Sequence, residues 1–452
     1  MLFKDIVGCK NTVAELKQVC DSLIHANKYQ KFGIKPCKGV IIGGGKRRGK
    51  TTFAQALADE IGYETFYISP KDEFVNFAKR LTDLVELLKT CKQAIVIIDD
   101  ANYGGPSDEC TREATERNRQ AITKAVATME NLGAFIILTY DSTKDADSVD
   151  SLYFLYDVEH FDRIVKIERP TIADSEEFIT RYLKGKENYI RNVDVKALTS
   201  LLHCSVRRKL DAIMIEAGTY AAYHNKDWIE MDDIVYGILR AFYDIPLDYS
   251  PESSPMFEQI SYHEASHVVI SELLDPGSVA LVSILGDTRD IGGITKMAAT
   301  DHHVLEYREL ERSVLCSLAS RAVSEVVYDL VDMGITDDIR RVYGQMNEFI
   351  GEVCETGFGT YNGKGYSTAY YDNKRGHKIE QELNTYYEID KQLLIDNRDF
   401  LEAIAQALRE KHTILQKDIQ AIKAKFISNT TVYEKGKFLP SKVFYQQKIE
   451  LD

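Results

Sequence analysis

This chain of 452 residues has a single tryptophan and only nine prolines. Other absences narrow its class further. No stretch approaches the roughly 18 consecutive apolar residues of a membrane helix, so no membrane span is expected. The opening segment, MLFKDIVGCK, lacks the apolar core of a signal peptide. Eight cysteines (Cys9, Cys20, Cys37, Cys91, Cys110, Cys204, Cys316, Cys354) are scattered without any C-x-x-C pair. That argues against a disulfide framework and a cysteine metal cluster, and for free thiols in a reducing cytoplasm. Positive charge is in deficit: 56 Lys and Arg against 70 Asp and Glu leave a net charge of −14. Such a balance opposes nonspecific nucleic-acid binding and adhesion to anionic membranes. Repeats and low-complexity tracts are missing too. The remainder is 44% hydrophobic and 28% charged, with length enough for about two to four domains.

The first part of the chain alternates helix and strand signals. Asn11 to Ala26 reads as a helix, Gly39 to Ile42 as a buried strand, and Thr51 to Ile61 as a helix stopped by Gly62. Ala94 to Ile98 and Ala134 to Thr139 are continuous apolar strands. Buried strands alternating with helices indicate a parallel sheet covered on both faces. From Ala173 to Tyr243, after Pro170, the pattern is helical. Pro246, Pro251 and Pro255 mark a linker over 245–255. Met256 to Leu274 is free of Pro and Gly, ends at Asp275-Pro276-Gly277, and carries an apolar side of Ile260, Val268, Val269, Ile270, Leu273 and Leu274. Short strands follow at Val279 to Leu285 and Ile294 to Met297, then mostly helix to Ile427 and an aperiodic tail. The expected domains are an α/β nucleotide-binding subdomain (1–170), a helical lid (171–245), a linker (246–255), a mainly helical domain (256–427) and a tail (428–452).

The helix after the linker holds His263-Glu264-Ala265-Ser266-His267, the pattern H-E-x-x-H. Histidines four apart lie one above the other on a helix face. Two imidazoles so placed can share one Zn²⁺ at about 2.0–2.1 Å each. Glu264 lies one step round the helix, within reach of a water at the metal, which is the arrangement of a metal-dependent amide hydrolase.

Gly44-Gly45-Lys46-Arg47-Arg48-Gly49-Lys50-Thr51 satisfies G-x-x-x-x-G-K-[ST] between a strand and a helix. That context defines a P-loop, whose backbone N–H groups cradle phosphates. Gly44, Gly49, Lys50, Thr51 and Thr52 are the candidate nucleotide ligands, with Lys50 on the β and γ phosphates and Thr51 on Mg²⁺. Asp99, after the strand Ala94 to Ile98, is the matching metal-binding carboxylate, with Asp100 beside it.

With both motifs in this order, the chain resembles the FtsH family of AAA+ zinc proteases from about Phe3 to Ile427. Phe3 to Gly8 looks like the family's F-x-D-V-A-G, and Phe161-Asp162-Arg163 matches its F-D-R. Tyr262 to His267 resembles Y-H-E-A-G-H, with Ser266 in place of glycine. Arg321 to Glu325 looks like R-A-A-E-E with Ser324 for the first glutamate, and Glu380 to Leu408 like the closing helices. Gly334 to Ile339 looks like G-A-Q-N-D-L, whose aspartate is the third zinc ligand; by resemblance that ligand is Asp338. Spacing alone does not choose it: Glu325 is a second carboxylate, and Thr336 and Asp337 read as helix caps. The resemblance implies an α/β AAA+ P-loop domain with a helical lid, followed by a mainly α-helical zinc peptidase domain. It implies Zn²⁺, ATP with Mg²⁺, unfolded or loosely folded protein substrates cleaved along an edge strand within 279–297, and assembly as a hexamer. Family members are usually membrane-anchored; this chain reads as a cytoplasmic offshoot.

Departures cluster in the ATPase half. Asp100 stands where the family has the glutamate that polarises water. Its shorter side chain withdraws the carboxylate by roughly 1.5 Å, and about 1 Å of misplacement can cost on the order of 10²-fold. Asp157 and His160 occupy the arginine-finger positions, and such a finger contributes about 10³–10⁵ in rate. Asp141 or Ser142 takes the sensor asparagine's place. The pore segment, Ser69 to Leu84, is short, with Phe74 and Phe77 as the aromatics available to grip substrate. Lys46, Arg47 and Arg48 replace Pro, Gly and Thr in the P-loop. The sequence therefore points to a zinc metalloendopeptidase whose AAA+ module binds ATP and hydrolyses it weakly or not at all. A fully ATP-driven unfolding protease and a nucleotide-gated scaffold with a structural metal are the alternatives.

Overall fold

A computed structural model describes residues 1–46, 48–72, 74–91, 93–103, 111–142, 161–203, 206–246, 251–286, 292–301, 307–330, 335–352 and 369–426. Asp157, His160, the His302-His303 pair, the Gly- and Tyr-rich segment 361–368 and the tail lie outside the described residues. The chain divides into two units, Met1–Phe178 and Ile179–Asp452.

In the first unit, β1 (Gly39–Gly44), β2 (Glu64–Ile68), β3 (Ala94–Ile98), β4 (Phe135–Asp141) and β5 (Arg163–Lys166) form one sheet in the order β2-β3-β4-β1-β5. Every pairing is parallel. The helices are α1 (Lys10–Ile24), α2 (Ala26–Gln30), α3 (Lys50–Ile61), α4 (Phe77–Leu88) and α5 (Thr111–Asn131), and α6 (Ile172–Leu183) contains the boundary after Phe178. Strand side chains alternate between faces, and here both faces are covered. Ile95, Ile97 and Ile137 pack with Leu16, Phe53 and Leu57 in one core. Val96, Ile98 and Ile136 pack with Phe77, Leu81, Ile122 and Met129 in another. Double burial is why β1, β3 and β4 read as unbroken apolar runs. The edge strands β2 and β5 have exposed positions and mixed composition, and the sequence reading missed both.

Phe77 corrects one expectation. It is fully buried in the sheet core, so it cannot grip substrate. Phe74 packs edge-on against Tyr103, their centroids 5.8 Å apart, and Val75 is the exposed apolar residue of that turn.

The second unit holds α7 (Val195–Leu202), α8 (Val206–Tyr223), α9 (Met231–Tyr243), α10 (Phe257–Leu274), α11 (Tyr307–Tyr328), α12 (Thr336–Glu352), α13 (Ala369–Asp396), α14 (Arg398–Lys411) and α15 (Gln416–Lys423). Trp228 precedes α9 with the Arg191 guanidinium stacked over its ring at 3.2 Å. A small antiparallel sheet runs β7-β6-β8, from β6 (Val279–Ser283), β7 (Ile294–Met297) and β8 (Thr413–Leu415). The strand β8 interrupts a stretch that the sequence presents as mostly helix. α10 also differs from expectation: from Ser261 on, every residue but the half-buried His263 is buried, rather than one face alone, including Ser261, Glu264, Ser266, Ser271 and Glu272. It packs against α11, α14 and β6, and the polar residues of its buried stretch are hydrogen-bonded, which lets that part of the helix be enclosed.

Candidate metal and nucleotide sites

α10 brings His263 and His267 to one point, with their Nε2 atoms 3.2 Å apart. The first turn of α12 delivers Asp338, whose Oδ2 lies 3.4 Å from His263 Nε2 and 3.3 Å from His267 Nε2. Tetrahedral donors about 2.0–2.1 Å from one ion lie about 3.3–3.4 Å from each other. The three edges match, so the donor set fits a single zinc ion with one position left for water or substrate. Among the described residues, these three are the one His/Cys/Asp/Glu cluster with metal-ligand spacing.

Neighbours fix the donors. His267 Nδ1 lies 2.6 Å from the Cys316 carbonyl oxygen on α11. An N–H donated there leaves the Nε2 lone pair facing the centre. Ser320 Oγ donates to Asp338 Oδ2 at 2.9 Å, and Arg341, one turn on, bonds Oδ1. Burial pushes the Asp338 carboxyl up, but hydrogen bonds and charge from both imidazoles outweigh it and hold it well below the ordinary range. Burial lowers His267, yet its contacts with Asp338 and Cys316 together outweigh that and raise the imidazole well above its usual value.

Glu264 is 4% exposed and accepts a 2.7 Å hydrogen bond from Thr295 Oγ1 on β7. Glu325 is elsewhere, bonded to Lys391 at 2.7 Å and to Tyr387. Asp337 pairs with Arg340 at 2.7 Å on the surface. The sequence reading missed Cys316, Ser320, Arg341 and Thr295; only Arg341, three residues after Asp338, had a sequence signal.

In the first unit, β1 runs through Gly44 into the P-loop, and Gly49 opens α3 at φ +87°, a left-handed conformation that favours glycine. Lys50 is buried, its Nζ donating to the carbonyls of Gly44 at 3.1 Å and Gly45 at 3.3 Å. Asp99 accepts from Thr51 Oγ1 at 2.7 Å, Tyr67 OH at 2.8 Å and Thr139 Oγ1 at 2.5 Å. Burial and the Asp99 contact both push the Tyr67 phenol up, so it stays a donor. Thr51 and Asp99 therefore share the spot where Mg²⁺ is held in P-loop proteins. Thr52 opens α3 on its exposed side. Asp100 adopts φ +51°, and its N–H donates to Thr139 Oγ1 at 2.9 Å. Asp141 is buried and clasped backbone-to-side-chain by Asn102, with both contacts 2.9 Å. Ser142 beside it is exposed.

A model of the AAA family, ATPases associated with various cellular activities, matches residues 40–169, and a model of peptidase family M41 matches 254–422. The ATP-dependent zinc metalloprotease FtsH 3 of Synechocystis is 28% identical, covering 93% of this chain and 73% of that protein. FtsH 2 of Thermoanaerobacter is 24% identical over 93% of this chain and 82% of its own length. FtsH of Thermus thermophilus is 26% identical over 93% and 70%. Among the described residues, no helix is long and apolar enough to cross a membrane. With an AAA module followed by a peptidase M41 module, relatives spanning most of its length, and a His-His-Asp group of zinc dimensions, the chain is similar from end to end of that arrangement to the FtsH family of AAA+ zinc metalloproteases, whose cofactors are Zn²⁺ and ATP with Mg²⁺.

Proposed function

We propose that this chain is a zinc endopeptidase in which His263, His267 and Asp338 hold the ion and Glu264 is the general base. The observation that carries the proposal is the near-equilateral triangle of donor atoms, with edges of 3.2, 3.3 and 3.4 Å. When bound, zinc polarises the scissile carbonyl and lowers the pKa of water. Glu264 takes a proton from the attacking water and passes it to the departing amine nitrogen. A purely structural metal has no use for a carboxylate at that position. Strand β7, at the edge of its sheet, would pair backbone-to-backbone with an extended substrate. Backbone pairing gives loose sequence preference and favours unfolded or loosely folded proteins. Glu264→Gln tests this: degradation of a loosely folded protein should fall at least about 10³-fold with zinc retained. Parent-like cleavage by the variant refutes the mechanism.

Gly44, Gly49, Lys50, Thr51, Thr52, Asp99 and Asp100 are proposed to hold ATP and Mg²⁺ in a domain ending near residue 170. Residues 171–245 form its lid, 246–255 the linker and 256–427 the peptidase, with six copies assembling in the cytoplasm. Slow hydrolysis follows from the short Asp100 and from Asp157 and His160 at the finger positions. The intact Thr51–Asp99 contact favours the other reading, full ATP-driven unfolding. A steady-state ATPase rate no higher than that of Lys50→Ala selects slow hydrolysis; a rate far above it selects the motor.

A further inference from the structure

We infer that Thr295 is a positioning residue that aims the Glu264 carboxylate, with Gly293 clearing the space for it. The inference rests on Glu264 acting as the base. Strand β7 carries Thr295 and Met297 on one face by its two-residue period, Gly293 immediately precedes the strand, and that face lies along α10. Thr295 Oγ1 donates to Glu264 Oε2 at 2.7 Å. Two residues earlier, a Cβ on Gly293 would sit 2.5 Å from the Glu264 Cγ and Oε1. Two residues later, Met297 Sδ receives Ser271 Oγ at 4.0 Å, two turns along the helix from Glu264. Gly292 is similarly close, since its Cβ would meet Ile260 at 3.1 Å.

The glycine pair lets the chain leading into β7 pass directly over the metal-binding helix. One carboxylate oxygen is tethered to the strand by a hydroxyl, and the other is left to accept a proton. Glu264 has three side-chain torsions, and an untethered carboxylate would spend time in rotamers that miss the attacking water. The tether joins the base to the same strand whose edge would receive substrate, so peptide and base share one register. Val282 of β6 pairs with Thr295 from the far side, which fixes the strand from within.

The test uses the full chain loaded with zinc, with degradation of a loosely folded protein, zinc content and melting temperature as readouts. Thr295→Val keeps the β-branched shape and removes the hydroxyl. It should lower kcat about 10- to 100-fold, leave KM within about twofold, and keep the parent's zinc content and melting temperature. Thr295→Ser restores the donor and should return kcat to within about threefold of the parent. Gly293→Ala should lower kcat further at parental zinc content, through contact with the carboxylate. If Thr295→Val matches the parent in kcat while Glu264→Gln is inactive, the inference is overturned and the general-base reading stands. If Glu264→Gln is itself active, the underlying reading fails. Should Thr295→Val lose zinc or melt early, with Thr295→Ser doing the same, Thr295 is structural and the inference again falls.

Discussion

Asp338 can hold a negative charge in a half-dry site because four groups surround it: two imidazoles, the Ser320 hydroxyl and the Arg341 guanidinium. Asp390, on α13, is the opposite case. It is fully buried and neither carboxylate oxygen has a hydrogen-bond partner. Burial holds its carboxyl well above the ordinary range. The sign follows from linkage. An acid whose pKa is raised by folding binds its proton more tightly folded than unfolded, so stability is lost as pH rises above the unfolded value near ~3.9. Asp390→Ala should therefore melt higher than the parent at pH 8, by about 1–3 kcal/mol, and the gap should shrink at pH 5. Equal melting at both pH values would show that the carboxyl is accommodated. At this scale the sequence was partly legible. A histidine spacing of four is a local helical property and can be read directly. The partners that aim these side chains, Ser320, Cys316 and Thr295, come from other elements, and no local pattern marks them.

Between elements, the metal-binding helix α10 is pinned at its C-terminal end. Glu272 is fully buried and accepts from Lys423 Nζ at 3.1 Å, from Gln420 at 2.8 Å and from the Gly277 N–H at 3.0 Å. Lys423 also bonds the Glu272 carbonyl. This network ties α15, the last described helix, to the helix carrying His263 and His267. Removing one partner of a buried pair strands the other charge. Lys423→Met should cost about 3–5 kcal/mol, and Glu272→Gln in the same chain should recover much of that, read as melting temperatures. A parent-like melt for Lys423→Met alone would show that solvent reaches Glu272. The elements themselves were read with uneven success. β1, β3 and β4 were legible because burial on both faces leaves an apolar run. β2, β5 and β8 were not. Glu64-Thr65-Phe66-Tyr67-Ile68 is a mixed edge strand, and Thr413–Leu415 spans three residues between two helices, its start set by His412 at φ +59°. Propensity over so short a window cannot outvote its neighbours.

For the whole molecule, the proposal separates a working peptidase from a slow nucleotide module. A loosely folded protein should be degraded with or without ATP, and Lys50→Ala should match the parent. A tightly folded substrate should survive both. Strong ATP dependence, lost in Lys50→Ala, would show instead that Asp100 sustains the motor. The order of the two modules was legible because each motif sits in its strand-to-helix or helix context. The choice of Asp338 over Glu325 was not, because ligands roughly 70 residues apart in sequence meet only through the packing of α10, α11 and α12, and spacing carries no such information.

The most direct test of the central claim is zinc content per chain in Asp338→Ala and Glu325→Ala, measured beside the parent. About one zinc is expected in the parent and in Glu325→Ala, and a large loss in Asp338→Ala. Full zinc in Asp338→Ala with loss in Glu325→Ala would contradict it.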